Sequence, residues 1–466
     1  MHVAGPLPDE VAVERGLAAL VWDGIFAQTV GVLTGGALLT GCALEFGASP
    51  AVIGVLAAIP FFAQFAHVPA VILVEKLRRR RAICLIATLI ARAMLLPLVA
   101  LPFVPDPHLR LVLLLAAFAV MSPFGAMGGC AWLSWTCDLV PHERLGRVFG
   151  RRQWRSTLSG VTAGLVGGAI VSLWPHIAPN QRLGGYAIVF ALALVAAMAS
   201  SWCLARMPDV PMPPSRHQPL GALFGQPFRD GNFRRLMAFL GCWQFVANLA
   251  LPFYPVYLVQ HLHYSIMLAI VLGMVAQLAS AAAVRFWAGL SDRSSNKTVI
   301  ALCGPLFLCC PLGWVFAAQS LPGVLLLPAL VGLQLLLGTA TAGLDLACGN
   351  IALKLAPRRE ATVFLGANGL VKSLCAGCAP VIGGFILDRL AGGSAFVSWV
   401  EPWQVIFVLA ALLGAIALAR LPGIAERGHA PLARLFGFTS RPAVSRESLA
   451  PDAVARAEIE RSEPVY

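Results

Sequence analysis

Charge is what this chain has least of. Asp, Glu, Lys and Arg together make 12% of its 466 residues, about half the usual share of soluble domains. Hydrophobic residues make 58%, and the mean hydropathy is +0.79. No soluble core could enclose so much apolar surface, so a bilayer has to serve as solvent. The apolar–polar alternation of barrel strands is missing too, which leaves helices. Met1 to Gly16 lacks the basic start of a signal peptide, with Asp9, Glu10 and Glu14 against one arginine. The apolar stretch that follows is too long for a cleaved leader. There is no Walker-type phosphate loop, which argues against ATP as the driving force. There is also no paired nucleophile and base of an intramembrane hydrolase. Cys375 and Cys378 have metal-like spacing but no further ligands at matching distance. The 12 cysteines fall almost entirely in apolar stretches and read as small apolar residues rather than disulfide formers. The expectation is a protein that is not an enzyme, with no cofactor and no metal.

What is present is a series of about twelve apolar stretches, each near 20 residues and long enough to cross a bilayer. They read as 17–44, 50–74, 82–104, 109–137, 153–175 and 184–206, then 234–259, 265–290, 298–318, 322–353, 361–388 and 402–421. The second set echoes the first at an offset of about 216 residues: Pro141, Gly150, Gly167 and Gly168 fall on Pro357, Gly366, Gly383 and Gly384. A duplicated six-span bundle suggests two halves rocking around a site between them. The expected division is an N-terminal segment (1–16), a first bundle (17–206), a proline-rich loop (207–233), a second bundle (234–422) and a tail (423–466). The loop ends in a basic amphipathic stretch, Phe228 to Leu236. The polar tail reads as largely disordered, with one short helix near Asp452 to Arg461.

The net charge of +12 does not form a nucleic-acid patch. It follows alternate loops: Lys76 with Arg78 to Arg81, then Arg144, Arg147, Arg151 and Arg152, then Arg216, Arg229, Arg234 and Arg235. Arg293, Lys297, Lys354, Arg358 and Arg359 complete the set. The opposite loops keep little beyond Arg110, Arg182 and Arg389. This asymmetry places both termini in the cytoplasm, and the expected location is a cytoplasmic (inner) membrane.

Two loops carry a motif. After span 8 the chain reads Ala288-Gly289-Leu290-Ser291-Asp292-Arg293-Ser294-Ser295-Asn296-Lys297. After span 2 it reads Leu73-Val74-Glu75-Lys76-Leu77-Arg78-Arg79-Arg80. Both resemble the inner-loop signature of the major facilitator superfamily. In the first, Ala288 stands where that signature has its first glycine. In the second, Glu75 replaces the acid and Arg78 the second glycine. Span 11 holds Ala379-Pro380-Val381-Ile382-Gly383-Gly384, which resembles the family's Gly-Pro-x-x-Gly-Gly motif. Span 5 offers Gly160, Gly164, Gly167 and Gly168 without the proline. Small residues at these spacings let helices approach closely, and proline permits a bend. The resemblance implies an all-α membrane protein of twelve transmembrane helices in two pseudo-symmetric six-helix bundles. It also implies a monomer. An acid at the end of one span can meet the positive N-terminus of a facing helix. In the family such a cluster latches the outward-open form, and the matching residues are Glu75, Lys76, Asp292, Arg293 and Lys297. The competing reading is that these loops fix topology only.

Ionisable residues inside spans are expensive and are functional candidates by default. Asp23 lies in span 1, Arg92 in span 3, Arg155 in span 5, Asp345 in span 10 and Lys372 in span 11. Depth pairs Asp23 with Arg155 and Asp345 with Lys372. Either pair could exchange a proton or partner during a cycle, because loss of water favours a carboxyl's neutral form; a permanent packing pair is the alternative. Arg92 either reaches inward to Asp23 or snorkels to a polar surface. In the family, spans 1, 4, 7 and 10 line the cavity, flanked by 2, 5, 8 and 11. Cavity candidates are therefore Trp22, Gln28, Gln64, His67, Trp132, Trp135, Trp243, Gln244, Asn248, Gln334 and Thr341. A mixture of Trp and amides suits an amphipathic organic molecule or a sugar, while Trp132 and Trp135 equally fit an interfacial belt. The reading is a secondary transporter of a small organic solute, coupled to protons and surrounded by lipid. A lipophilic-compound exporter and a non-transporting sensor or assembly factor are the alternatives.

Overall fold

The computed structural model describes residues 10–210, 212, 225–357, 360–391 and 401–426. The expected helix near 452–461, the tail beyond 426 and residues 213–224 of the proline-rich loop lie outside the described residues. Twelve helices among the described residues are long and apolar enough to cross a membrane. The first six are α1 (Val11–Glu45), α2 (Pro50–Leu77), α3 (Arg80–Phe103), α4 (Pro107–Leu139), α5 (Leu145–Ile177) and α6 (Gly184–Arg206). The second six are α7 (Gly231–His261), α8 (Ile266–Arg293), α9 (Asn296–Ala317), α10 (Gly323–Leu355), α11 (Ala361–Ala391) and α12 (Pro402–Gly423). Each set forms a bundle. The connections that hold Arg78 to Arg81, Arg144 and Arg293 lie on the side where α1 begins, here the basic face; the others lie on the far face.

Local chemistry starts these helices where they start. Ser49, Asp106, Asp230, Ser265 and Ser295 each cap a helix by accepting from a backbone N–H two or three residues on, and Pro50, Pro107 and Pro402 occupy first-turn positions that need no donor. One break matters for the site. α1 is interrupted at Thr34 to Gly36, where Gly35 is extended and Gly36 has φ +53°, a left-handed conformation that glycine adopts without a Cβ clash.

The repeated glycines explain how the bundles join. Gly167 faces Leu33 and Leu38 of α1, and its counterpart Gly383 faces Leu249 and Phe253 of α7, each within its own bundle. Gly168 faces Met267 and Ile270 of α8, and its counterpart Gly384 faces Pro50 and Ala51 of α2, each across the two bundles. Two adjacent positions thus serve one inner and one outer neighbour in both halves. Gly54 of α2 meets the carbonyl of Pro380, and Gly377 meets the ring of Phe62. At the far end, the Asp388 carboxylate of α11 accepts from Ser49 Oγ at 2.8 Å and from Ala51 N at 3.3 Å. The halves are therefore joined tightly on the far-face side. Toward the basic face α2 and α11 part, leaving a cleft of about 330 Å³ between Gln64, His67 and Val71 on one side and Thr362, Gly366 and Ser373 on the other.

Polar straps close each bundle on the basic face. Arg80, 3% exposed, donates to Asp138 at 2.5 Å, to Ser134 and to the Val210 carbonyl. Trp135 Nε1 donates to Pro208 O. In the second bundle Glu426 accepts from Asn296 and from Lys297 N, while Lys297 Nζ donates to Pro422 O and Ile424 O. Residues 424–426, assigned by sequence to the polar tail, are thus docked on the second bundle.

Candidate functional site between and within the bundles

The break in α1 opens a cavity of about 430 Å³ between the halves. Gln28, Gly31, Val32 and Gly35 of α1 and Gly160 of α5 line one side; Ala269, Ile270, Gly273, Met274 and Gln277 of α8 line the other. Its walls are glycine and alkyl, with one amide from each bundle. Gln28 lies in this cavity, and Gln64 and His67 line the cleft between α2 and α11. Gln277 was not singled out by the sequence; its signal is an uncharged polar residue isolated in an otherwise apolar helix.

Several cavity candidates sit elsewhere. Trp135 is fully buried with its indole N–H on Pro208. Trp243 is 5% exposed, packed between Phe239 and Phe307. Gln334 is buried inside the second bundle. Trp22 stacks on Phe26, which lines a groove on the flank of the first bundle between α1, α5 and α6. For the three tryptophans, the indole's large apolar area is better buried against helices or placed at the flank than in the cavity. Asn248 donates to Gln244 O and Thr341 to Leu337 O, within their own helices.

The charged centre of the first bundle lies beside α1's inner face. Asp23 is 3% exposed. Ser200 Oγ of α6 donates to Asp23 Oδ1 at 2.5 Å and accepts from Arg92 Nη2 at 2.6 Å, while Arg92 Nη1 donates to Ser201 Oγ at 2.6 Å. Arg92 therefore reaches inward and meets Asp23 through a serine. The cation directly at Asp23 is Arg152, with Nη2 3.8 Å from Oδ2. Its guanidinium lies 4.5 Å over the Trp132 ring, a stacking that favours Arg over Lys. Arg155, the partner expected from depth, is exposed. It shares a helical face with Ser159 and Thr162, which line the flank groove. One carboxylate thus faces two guanidiniums. Arg152 Nε, Trp132 Nε1 and Ser156 Oγ beside it have no hydrogen-bond partner among the described residues. Donors outnumber acceptors, so a change of charge on Asp23 leaves several groups able to exchange partners.

In the second bundle Asp345 and Lys372 feel one another electrostatically, and Asp345 is exposed; no ion pair at contact distance joins them among the described residues. Glu75, Lys76, Asp292 and Arg293 likewise have no ion-pair partner among the described residues, and Lys297 is engaged within its own bundle. The second-glycine position of the loop after α2 is informative: Arg78 is left-handed, with φ +54°, where glycine would be unstrained.

Two six-helix bundles, a cavity between them and a broken cavity-lining helix define the two-bundle fold of membrane transporters. The Major Facilitator Superfamily profile matches residues 24–333, and the chain belongs to that superfamily. No curated protein matches it by sequence. Solved structures share the fold. A bacterial homolog of the human lysosomal transporter Spinster, inward-facing and unoccupied, aligns with TM-score 0.64 at 16% identity over 90% of this chain and 99% of that one. The nucleoside transporter NupG aligns with TM-score 0.64 at 12% identity over 89% and 98%. A D-xylose-proton symporter aligns with TM-score 0.63 at 13% identity over 90% and 99%. The protein is a multi-pass membrane protein of a transporter family.

Proposed function

We propose that the protein carries a small amphipathic organic solute across the cytoplasmic membrane by alternating access, coupled to protons. The observation that carries this is the asymmetric joint between bundles: hydrogen-bonded and glycine-packed at the far face, parted at the basic face. By the charge asymmetry of the loops the basic face is cytoplasmic, so this conformation is inward-open. The cavity's alkyl walls and its two glutamines suit a cargo with an apolar body and a few polar groups. Glu75 and Asp292, which have no ion-pair partner among the described residues, fit a latch that forms only in the opposite state.

Asp23 is the proposed proton carrier. Protonation removes its attraction for Arg152 on α5. The same helix packs on α8 of the other half through Gly164 and Gly168, so the charge on Asp23 bears on the joint that must move. Asp345 with Lys372 is a second candidate, in the other half.

The cargo is found first by thermal shift of purified protein against sugars, nucleosides, amino acids, organic acids and lipophilic cations. A ligand at about 100 times its dissociation constant adds roughly 2.7 kcal/mol. In proteoliposomes loaded with that cargo, Asp23→Asn is expected to abolish uptake driven by a pH gradient while sparing counterflow exchange. Loss of both, with a lowered melting temperature, would assign Asp23 to packing instead.

A further inference from the structure

A groove remains that the transport cycle does not use. It lies on the flank of the second bundle between α7 and α12, floored by Cys375 of α11, and encloses about 610 Å³. Its walls are two helical stripes. On α7 the stripe starts at Arg235 and continues through Phe239, Phe245 and Val246. On α12 it runs through Leu413 and Ile416 and ends at Arg420. The helices are antiparallel, so both arginines lie at the basic-face end and both apolar stretches lie deeper in the membrane.

We infer that this groove is a binding site for one anionic phospholipid of the leaflet at the basic face. The dimensions match. From Arg235 to Val246 is eleven residues, about 16 Å of helix, close to the ~15 Å hydrocarbon depth of one leaflet. The charges match as well. Neither arginine has a carboxylate within ion-pair distance among the described residues. Asp230, a near acid in sequence, caps α7 by accepting from Phe233 N. Arg235 donates to the Gly423 carbonyl at 3.3 Å, which holds its guanidinium over the end of α12 on the side of Arg420. Two guanidiniums at one end of a groove repel each other unless a phosphate lies between them, and each can grip a phosphate with two parallel hydrogen bonds. An acyl chain then covers the stripe that ordinary solvent could not. Zwitterionic lipid would cover the same apolar area but bring its own cation to the arginines.

The test needs no cargo and is independent of the transport reading. Protein in a neutral detergent is titrated with phosphatidylglycerol or with phosphatidylcholine of identical chains. Retained lipid is counted by native mass spectrometry and the melting temperature is recorded. Phosphatidylglycerol is expected to remain bound and to raise the melting temperature more than phosphatidylcholine. That preference should vanish in Arg235→Gln/Arg420→Gln, persist in part in Arg235→Lys/Arg420→Lys, and be untouched by Arg234→Gln on the neighbouring exposed position. Equal effects of the two lipids on the wild type, or a preference that survives the double Gln variant, would overturn the proposal. So would equal stabilisation by glycerol phosphate alone, which would make the site a plain anion site.

Discussion

At the residue scale, Arg78 shows how a departure from a family pattern registers in the backbone. The position is left-handed, which costs a non-glycine residue roughly 1–2 kcal/mol. Against this, Arg78 Nη2 donates to Met212 O at 3.1 Å on the surface, worth about 0.5–1.5 kcal/mol. Arg78→Gly releases the strain together with the arginine's contacts, so it should lower the melting temperature of the purified protein less than Arg78→Ala, which gives up the same contacts and keeps the strain. A drop as large in Arg78→Gly as in Arg78→Ala would mean that the left-handed backbone holds no strain to release. Asp23 illustrates what one sequence could and could not convey. A lone acid in a long apolar run is conspicuous, and its height in the membrane follows from counting residues. Its partner does not, because Arg152 and Arg155 differ by 4.5 Å along the helix and by about 60° around it, and only packing decides which of the two turns inward. Ser200 and Ser201 were invisible for a related reason: small hydroxyls in an apolar helix ordinarily bond their own backbone.

At the element scale, α11 carries the joint with α2, and glycine is what allows it. A Cβ at Gly384 would meet the backbone of Pro50 and Ala51, atoms that cannot rotate aside. Gly384→Val is therefore expected to fold within its bundle but to hold the far-face joint apart. Reagents that reach the cavity only from the far side should then modify it faster than in wild type. Gly383→Val, whose neighbours lie within its own bundle, should instead lower stability. The span pattern, the repeat and the paired glycines were all legible in sequence, because length, hydropathy and the absence of a side chain are local properties. The engagement of residues 424–426 was not. A short segment after a span reads as tail until Glu426 is seen beneath α9. Burial alone would push that carboxyl up, but the amides of Lys297 and Asn296, the Asn296 side chain and the Lys354 charge outweigh it and hold it below its ordinary 4.5. A depressed carboxyl contributes stability that is complete above the ordinary value and disappears as pH falls through the lowered one. The melting-temperature gap between wild type and Glu426→Gln should thus be full at neutral pH and close as the medium is acidified below about pH 4.5. A gap that widens in acid would reverse the assignment.

At the scale of the whole molecule, alternating access is a statement about two ends that cannot both be open. Asp388 is the group that closes one of them. It gathers the Ser49 hydroxyl and the Ala51 amide at the N-terminus of α2, where the helix dipole favours a negative charge. The facing arrangement at the other end of the same helix pair would set Glu75, at the end of α2, against the start of α11 at Ala361. On the proposed reading an acid of one helix would cap its antiparallel partner at either end, and among the described residues it is the far-face cap, by Asp388, that is made. Asp388→Asn keeps the shape and removes the charge, so it should weaken the far-face cap and shift the population toward the state in which the basic face is shut. Hydrogen exchange reads both ends in one experiment. Amides at residues 49–54 should exchange faster than in wild type, while those at 361–373, which border the cleft, should exchange more slowly. Acceleration at both ends would mean general loosening of the bundle pair. Acceleration at the far face with no change at the basic face would uncouple the two ends and remove the physical basis for reading this joint as one side of a rocking switch.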